Sequence, residues 1–195
     1  MQTHDFPALA LLEFSSIAVG TRAADAIAKK APVSFIRIGT IQPGKFAILF
    51  SGEVASVNES FAEGRRVGDA ALLDSVILSD VHRDVHNAVL GKRGDWGDDA
   101  VGIIETQTLA AVIDAADAAM KGANVSLIEI RLGDGLGGKG VAHFSGLLAD
   151  VQAAIDIGCR VIGAGRAPAC ITVIPSFDAD VRAKLNASTR FGEGW

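Results

Sequence analysis

The sequence predicts an α/β chain of the α+β type, built from two tandem ferredoxin-like units of order β-α-β-β-α-β. Three observations carry that prediction. First, the chain repeats itself. L-L-E-F-S-S-I-A (11–18) returns as I-I-E-T-Q-T-L-A (103–110), and A-A-D-A-I-A-K (23–29) as A-A-D-A-A-M-K (115–121), each 92 positions later. Glu13 therefore falls on Glu105, Asp25 on Asp117 and Lys29 on Lys121. A loop two residues longer in the second copy shifts the offset to 94, so Gly44-Lys45, Gly52 and Val57 fall on Gly138-Lys139, Gly146 and Val151. Repeats of about 90 residues are domain-sized, larger than solenoid units. Second, each copy alternates short apolar runs with alanine-rich stretches of helical character. Third, aromatics are only 6% and tyrosine is absent, so a core of small residues must pack short helices closely on a sheet.

Each element has its own signal. Residues 8–14 and 100–106 are apolar runs bounded by polar residues and read as strands. Residues 17–31 and 109–123 are alanine-rich, with Asp and Lys at i, i+4, a stabilising helical pair. Residues 33–38 and 125–131 are β-branched strands, and 45–51 and 139–145 their hairpin partners. The helices that follow place Val54, Val57 and Phe61 on one face, and Leu147, Val151 and Ile155 on the equivalent face. A last strand at 71–78 or 169–174 leads to a short helix at 82–90 or 178–187. The first unit spans 6–92 and the second 98–188. The joining segment G-K-R-G-D-W-G-D-D (91–99) reads as an exposed linker, and 189–195 as a loosely held tail.

Composition excludes several functions. The net charge of -5, with no run of more than two basic residues, gives no footprint for nucleic acid. No apolar run approaches the roughly 20 residues of a membrane helix, and the N-terminus lacks the pattern of a signal peptide. Cys159 and Cys170 have no metal-site spacing and read as small buried apolar residues of a cytoplasmic, reducing compartment.

Gly133 to Lys139 (G-D-G-L-G-G-K) satisfies two phosphate-loop patterns, but both need the loop to open a helix. The G-V-A-H-F-S that follows is a strand, and the sister loop G-T-I-Q-P-G-K has few glycines, so a hairpin with positive φ is the simpler reading. His82 and His86 stand at i, i+4 without a third ligand and read as a solvated helix face, while His143 reads as a packed strand residue. Glu13 and Glu105 read as equivalent structural hydrogen-bonding groups, not as one acid/base pair. No catalytic constellation appears, and neither a catalytic residue nor a metal site is assigned.

The two openings, L-L-E-F-S-S-I-A-V-G-T-R-A-A-D-A-I-A-K-K and I-I-E-T-Q-T-L-A-A-V-I-D-A-A-D-A-A-M-K-G, together with the G-D-G loop, resemble the bacterial microcompartment shell domain. The resemblance runs from about residue 8 to about 187, in two unpermuted copies like those of the trimer-forming tandem shell proteins. It implies a structural, non-enzymatic protein: a homotrimer forming a pseudohexameric tile that meets other shell proteins edge to edge in a cytoplasmic microcompartment shell. It places Gly39, Thr40, Ile41, Gln42 and Pro43 with Gly133, Asp134, Gly135 and Leu136 around a central pore for small metabolites. It places Lys29 and Lys121 at the tile edges, while Ser176 replaces an arginine common at that edge. Gln42 stands where one subgroup has a cluster-binding cysteine, so no cofactor is expected. Three Asp134 side chains would give the pore a negative rim that disfavours anions. Two other readings remain open at this point: a ferredoxin-like ligand-binding or regulatory trimer, and a phosphate-binding enzyme using the Gly133–Lys139 loop.

Overall fold

The computed structural model describes residues 7–133, 135–162 and 170–191. The first repeat comprises β1 (Ala8–Phe14), α1 (Ile17–Lys30), β2 (Ser34–Ile41), β3 (Lys45–Gly52), α2 (Val54–Gly68), β4 (Leu72–Leu78) and α3 (Arg83–Val89). The second comprises β5 (Ala100–Thr106), α4 (Leu109–Gly122), β6 (Ser126–Leu132), β7 (Gly140–Gly146), α5 (Leu148–Ile162), β8 (Cys170–Ile174) and α6 (Ala179–Ala187). Each repeat forms one antiparallel four-stranded sheet, ordered β2-β3-β1-β4 and β6-β7-β5-β8. The predicted duplicated α+β architecture is the one observed.

The period of two along β1 divides its side chains between two cores. Ala8, Ala10, Leu12 and Phe14 pack with Ala23 and Ile27 of α1 and with Val57 and Phe61 of α2. Leu9 and Leu11 turn to the other face and join the core of the second repeat through α4. A central strand buried on both faces must be apolar at nearly every position, and β1 is fully buried. Glycine permits the closest approach of helix to sheet: a Cβ on Gly20 of α1 would lie 2.6 Å from Phe46 Cδ1.

The equivalent helices α1 and α4 have unequal surroundings. α1 buries Gly20, Ala23, Ala24 and Ile27, the single stripe of a helix lying on one sheet. α4 buries nine residues from Leu109 to Ala119, because its own sheet covers one side and the first repeat covers the other. Its higher apolar content follows from that sandwich.

Three expectations need correction. β2 runs to Ile41, past the predicted end, because pairing of Gly39, Thr40 and Ile41 with Ala47, Phe46 and Lys45 carries the ladder to the turn. Leu147 precedes α5 and is exposed; the buried face of that helix is Val151, Ala154, Ile155, Gly158 and Ile162. Cys170 is exposed, since β8 lacks the cover that α4 gives β4, and Cys159 on α5 is half-buried.

The joining segment is exposed apart from Trp96, which is 0% exposed. Its ring stacks on Phe177 at 5.5 Å, lies 4.9 Å from His143, and packs on Val101 and Ile128. The tryptophan thus anchors a segment whose glycines and charges are exposed. The tail is also tied down as far as described, by the Arg131 guanidinium donating to the Thr189 carbonyl at 2.9 Å.

Beside Trp96, His143 Nδ1 lies 3.4 Å from Glu129 Oε1, and Glu129 pairs with Arg93 at 2.9 Å. Burial pushes the His143 imidazole down to about 4, the nearby Glu129 carboxylate opposing and the Arg131 and Arg93 charges assisting. An unfolded histidine titrates near 6.5, so between pH 6.5 and 4 the unfolded chain holds a proton that the folded chain lacks. Stability should therefore fall on acidification through this window, by about 3 kcal/mol from this group. Urea titrations at pH 7 and pH 4 measure it, and His143→Phe, which cannot titrate, should reduce the difference.

Candidate functional site at the seam between the repeats

The first repeat grips α4 at both ends. At the N-terminus, Glu13 is fully buried and accepts from the Leu109 amide at 2.9 Å and from Lys45 Nζ at 2.7 Å. Leu109 is the first residue of α4, so its amide is one of those a helix cannot satisfy internally. Thr108, the N-cap, accepts from the Ala111 amide and donates its hydroxyl to Asp74 of β4. Burial raises the Glu13 carboxyl above its ordinary value, against the lowering effects of Lys45 and Leu109. At the C-terminal end, Asp117 accepts from the His82 amide and from Lys121 Nζ, both at 2.7 Å. Lys121 donates in addition to the Asp80 carbonyl.

The β2–β3 and β6–β7 loops meet at this seam. Gly133 is buried against the first repeat, and a Cβ there would lie 3.2 Å from Ile41 Cγ2 and 3.3 Å from Leu109 Cδ1. A Cβ on Gly138 would collide with the Gln42 carbonyl. Gly133, Gly135, Gly137 and Gly138 all have positive φ, from 63° to 82°, which explains the glycine density without a phosphate. The loop leads into β7, not a helix, and Lys139 pairs with Glu105 at 2.8 Å. The phosphate-loop reading therefore has no helix N-terminus to rest on. Thr40, Gln42, Pro43 and Gly135 are exposed, Gly39, Ile41 and Leu136 half-buried, and Asp134 lies outside the described residues.

Other marked residues have local explanations. His82 caps α3, accepting from the Asp84 amide at 3.2 Å. Among the described residues no three His, Cys, Asp or Glu side chains gather to hold a metal. Among the same residues no helix is long and apolar enough to cross a membrane. Lys29 pairs with Asp25 at 2.6 Å, both largely exposed.

Placing each seam residue beside its equivalent exposes an asymmetry that the sequence could not show. Leu109 is 2% exposed and Ile17 is 44%. Val85 of α3 is 0% exposed, and Val181, the third residue of α6 as Val85 is of α3, is 46%. The Asp117 side chain is 6% exposed and that of Asp25 62%. One member of each pair is covered by the other repeat; its equivalent lies open.

A profile of the bacterial microcompartment (BMC) domain matches residues 8–81 and again 100–177. The chain belongs to the bacterial microcompartment shell protein family. The two matches span the two sheets and the two longer helices of each repeat, so the family's domain occurs here twice in tandem. Bacterial microcompartment shell protein PduT of Citrobacter freundii is 37% identical over 156 residues, covering 80% of this chain and 85% of that one. A microcompartment protein structure from Desulfitobacterium hafniense superimposes with a TM-score of 0.79 at 35% identity, over 91% of this chain and 99% of that one. A fused permuted hexameric shell protein gives 0.60 at 22% identity over 80% and 83%, a likeness of fold alone. This chain is thus a structural component of a microcompartment shell.

Proposed function

We propose that three copies of this shell protein close into a ring of six domains, a pseudohexameric tile whose central opening passes small metabolites. The observation that carries the reading is the paired asymmetry of burial. Within one chain the second repeat's helix α4 fills the open face of the first, while α1 and α6 leave equivalent surfaces uncovered at the two ends. Such head-to-tail surfaces form either closed rings or open filaments. Two repeats per chain suit a ring of three. The β2–β3 and β6–β7 loops, adjacent at the seam, would then surround the axis, with Gly39 to Pro43 and Gly133 to Leu136 lining it. The role is structural, not catalytic.

Lys29 and Lys121 would stand at the tile's rim, where a long apolar stem can lie on a neighbour while the amine reaches backbone carbonyls. Lys29 is the freer of the two, since Lys121 already bonds Asp80 and Asp117 within the chain. Lys29→Ala should leave a trimer by light scattering but abolish ordered sheets in electron micrographs of concentrated protein. Lys121→Ala should disturb sheets and also cost about 1 kcal/mol of stability, from lost seam hydrogen bonds. Isolated trimers of wild type at all concentrations would favour a ligand-binding trimer; a monomer would end the ring reading.

A further inference from the structure

We infer that Glu105, paired with Lys139, is a docking clamp for the N-terminus of α1 in a second copy of this chain. The inference rests on the ring reading and specifies what holds the copies together. Its pattern is already filled once within the chain. Glu13, on the equivalent strand, divides its two carboxylate oxygens between Lys45 and the Leu109 amide, the first of α4. Glu105 reproduces half of this: one oxygen takes Lys139 Nζ at 2.8 Å, and among the described residues the other has no donor. Its side chain is 36% exposed, where that of Glu13 is 0%.

The missing donor has an equivalent too. Ile17 is the first residue of α1, as Leu109 is of α4, and its amide has no acceptor among the described residues. Ser16 caps the Val19 amide, as Thr108 caps that of Ala111, so this first amide is the donor left over. Ile17 and Val181 supply apolar surface of the kind that Leu109 and Val85 bury at the filled seam. The carboxylate lies on the second repeat and the helix on the first, so a chain cannot satisfy itself. It needs another copy, placed as its own second repeat is placed.

One difference concentrates the burden on the pair. Asp74 stands opposite Glu13 in the β1–β4 register, whereas Cys170 stands opposite Glu105 in the β5–β8 register. At the filled seam the Thr108 hydroxyl meets the Asp74 carboxylate. Between copies the corresponding serine would meet a thiol, a poor acceptor. At this end of the helix the Glu105 carboxylate is then the one charged acceptor carried over.

The test uses Ile17→Pro, because proline at the first helical position removes the amide hydrogen while suiting the helix. Ser16 is extended, at φ -124° and ψ 124°, as a residue before proline must be. Trimer dissociation would be followed by analytical ultracentrifugation on dilution, with helix content checked by circular dichroism. Glu105→Ala and Ile17→Pro should each weaken the trimer about tenfold or more, and the double variant should be no weaker than Ile17→Pro alone, because both remove one bond and the proline variant already lacks the isoleucine side chain. Ile17→Val should stay within about fourfold, being a loss of one methylene. A trimer equally tight in Glu105→Ala and Ile17→Pro would overturn the clamp and leave the ring standing, as would fully additive losses. A monomeric wild type would overturn the ring, and the clamp with it.

Discussion

Replacing Trp96 with alanine is expected to lower the unfolding free energy by about 3–5 kcal/mol, the range for emptying a fully buried large aromatic site. The residue lies in the segment joining the repeats, where a flexible linker would predict no effect. Its ring fills the space between Phe177, His143, Val101 and Ile128, and its backbone is held as well. The Trp96 amide donates to Asn186 Oδ1 at 3.1 Å, and Arg182 donates to the Trp96 carbonyl. Removing the ring therefore loosens α6 and the linker together. Trp96→Phe is the control. The buried indole N–H has no partner among the described residues, so phenylalanine forfeits volume but no hydrogen bond. Its cost should be about 1–2 kcal/mol. Urea unfolding followed by circular dichroism measures both variants, and an alanine variant as stable as wild type would return the segment to a simple tether.

What could be read from the sequence and what could not divides along the range of the interaction. The duplication, the order of elements and the burial of β1 follow from matched residues and from periodicity, which are local. Gly133 to Gly138 could be read as a positive-φ hairpin for the same reason. Trp96 could not: a lone aromatic between glycines and aspartates has no periodicity, and only the fold brings Phe177 and His143 to it. The unequal fates of Glu13 and Glu105 were invisible for a deeper reason. A repeat read from sequence treats its copies as equivalent, while within a chain only one of the two domain junctions can be made. The faint signal was compositional: α4 reads Leu-Ala-Ala-Val-Ile where α1 reads Ile-Ala-Val-Gly-Thr. The helix that loses solvent on both sides is the more apolar one.

Glu13→Ala and Glu105→Ala, the same chemical change 92 positions apart, should report on different properties of the protein. Glu13→Ala leaves the buried Leu109 amide without an acceptor and Lys45, whose side chain is 19% exposed, without its carboxylate. The expected loss is about 3 kcal/mol of unfolding free energy, because breaking one half of a buried pair strands the other. Glu13→Gln keeps an oxygen for the amide and should cost less. It should also change the pH profile. Since burial raises the Glu13 carboxyl, just above pH 4.5 the folded chain keeps a proton that the unfolded chain has released. Its contribution to stability therefore falls as pH rises through that window, and the glutamine variant should lack this slope. Glu105 belongs to an exposed pair in the single chain, where solvent screening leaves an ion pair little to contribute. Its removal should scarcely move the unfolding midpoint of dissociated chains while weakening their association. Equal destabilisation of the isolated chain by both substitutions would mean that the second junction is not left open for another copy.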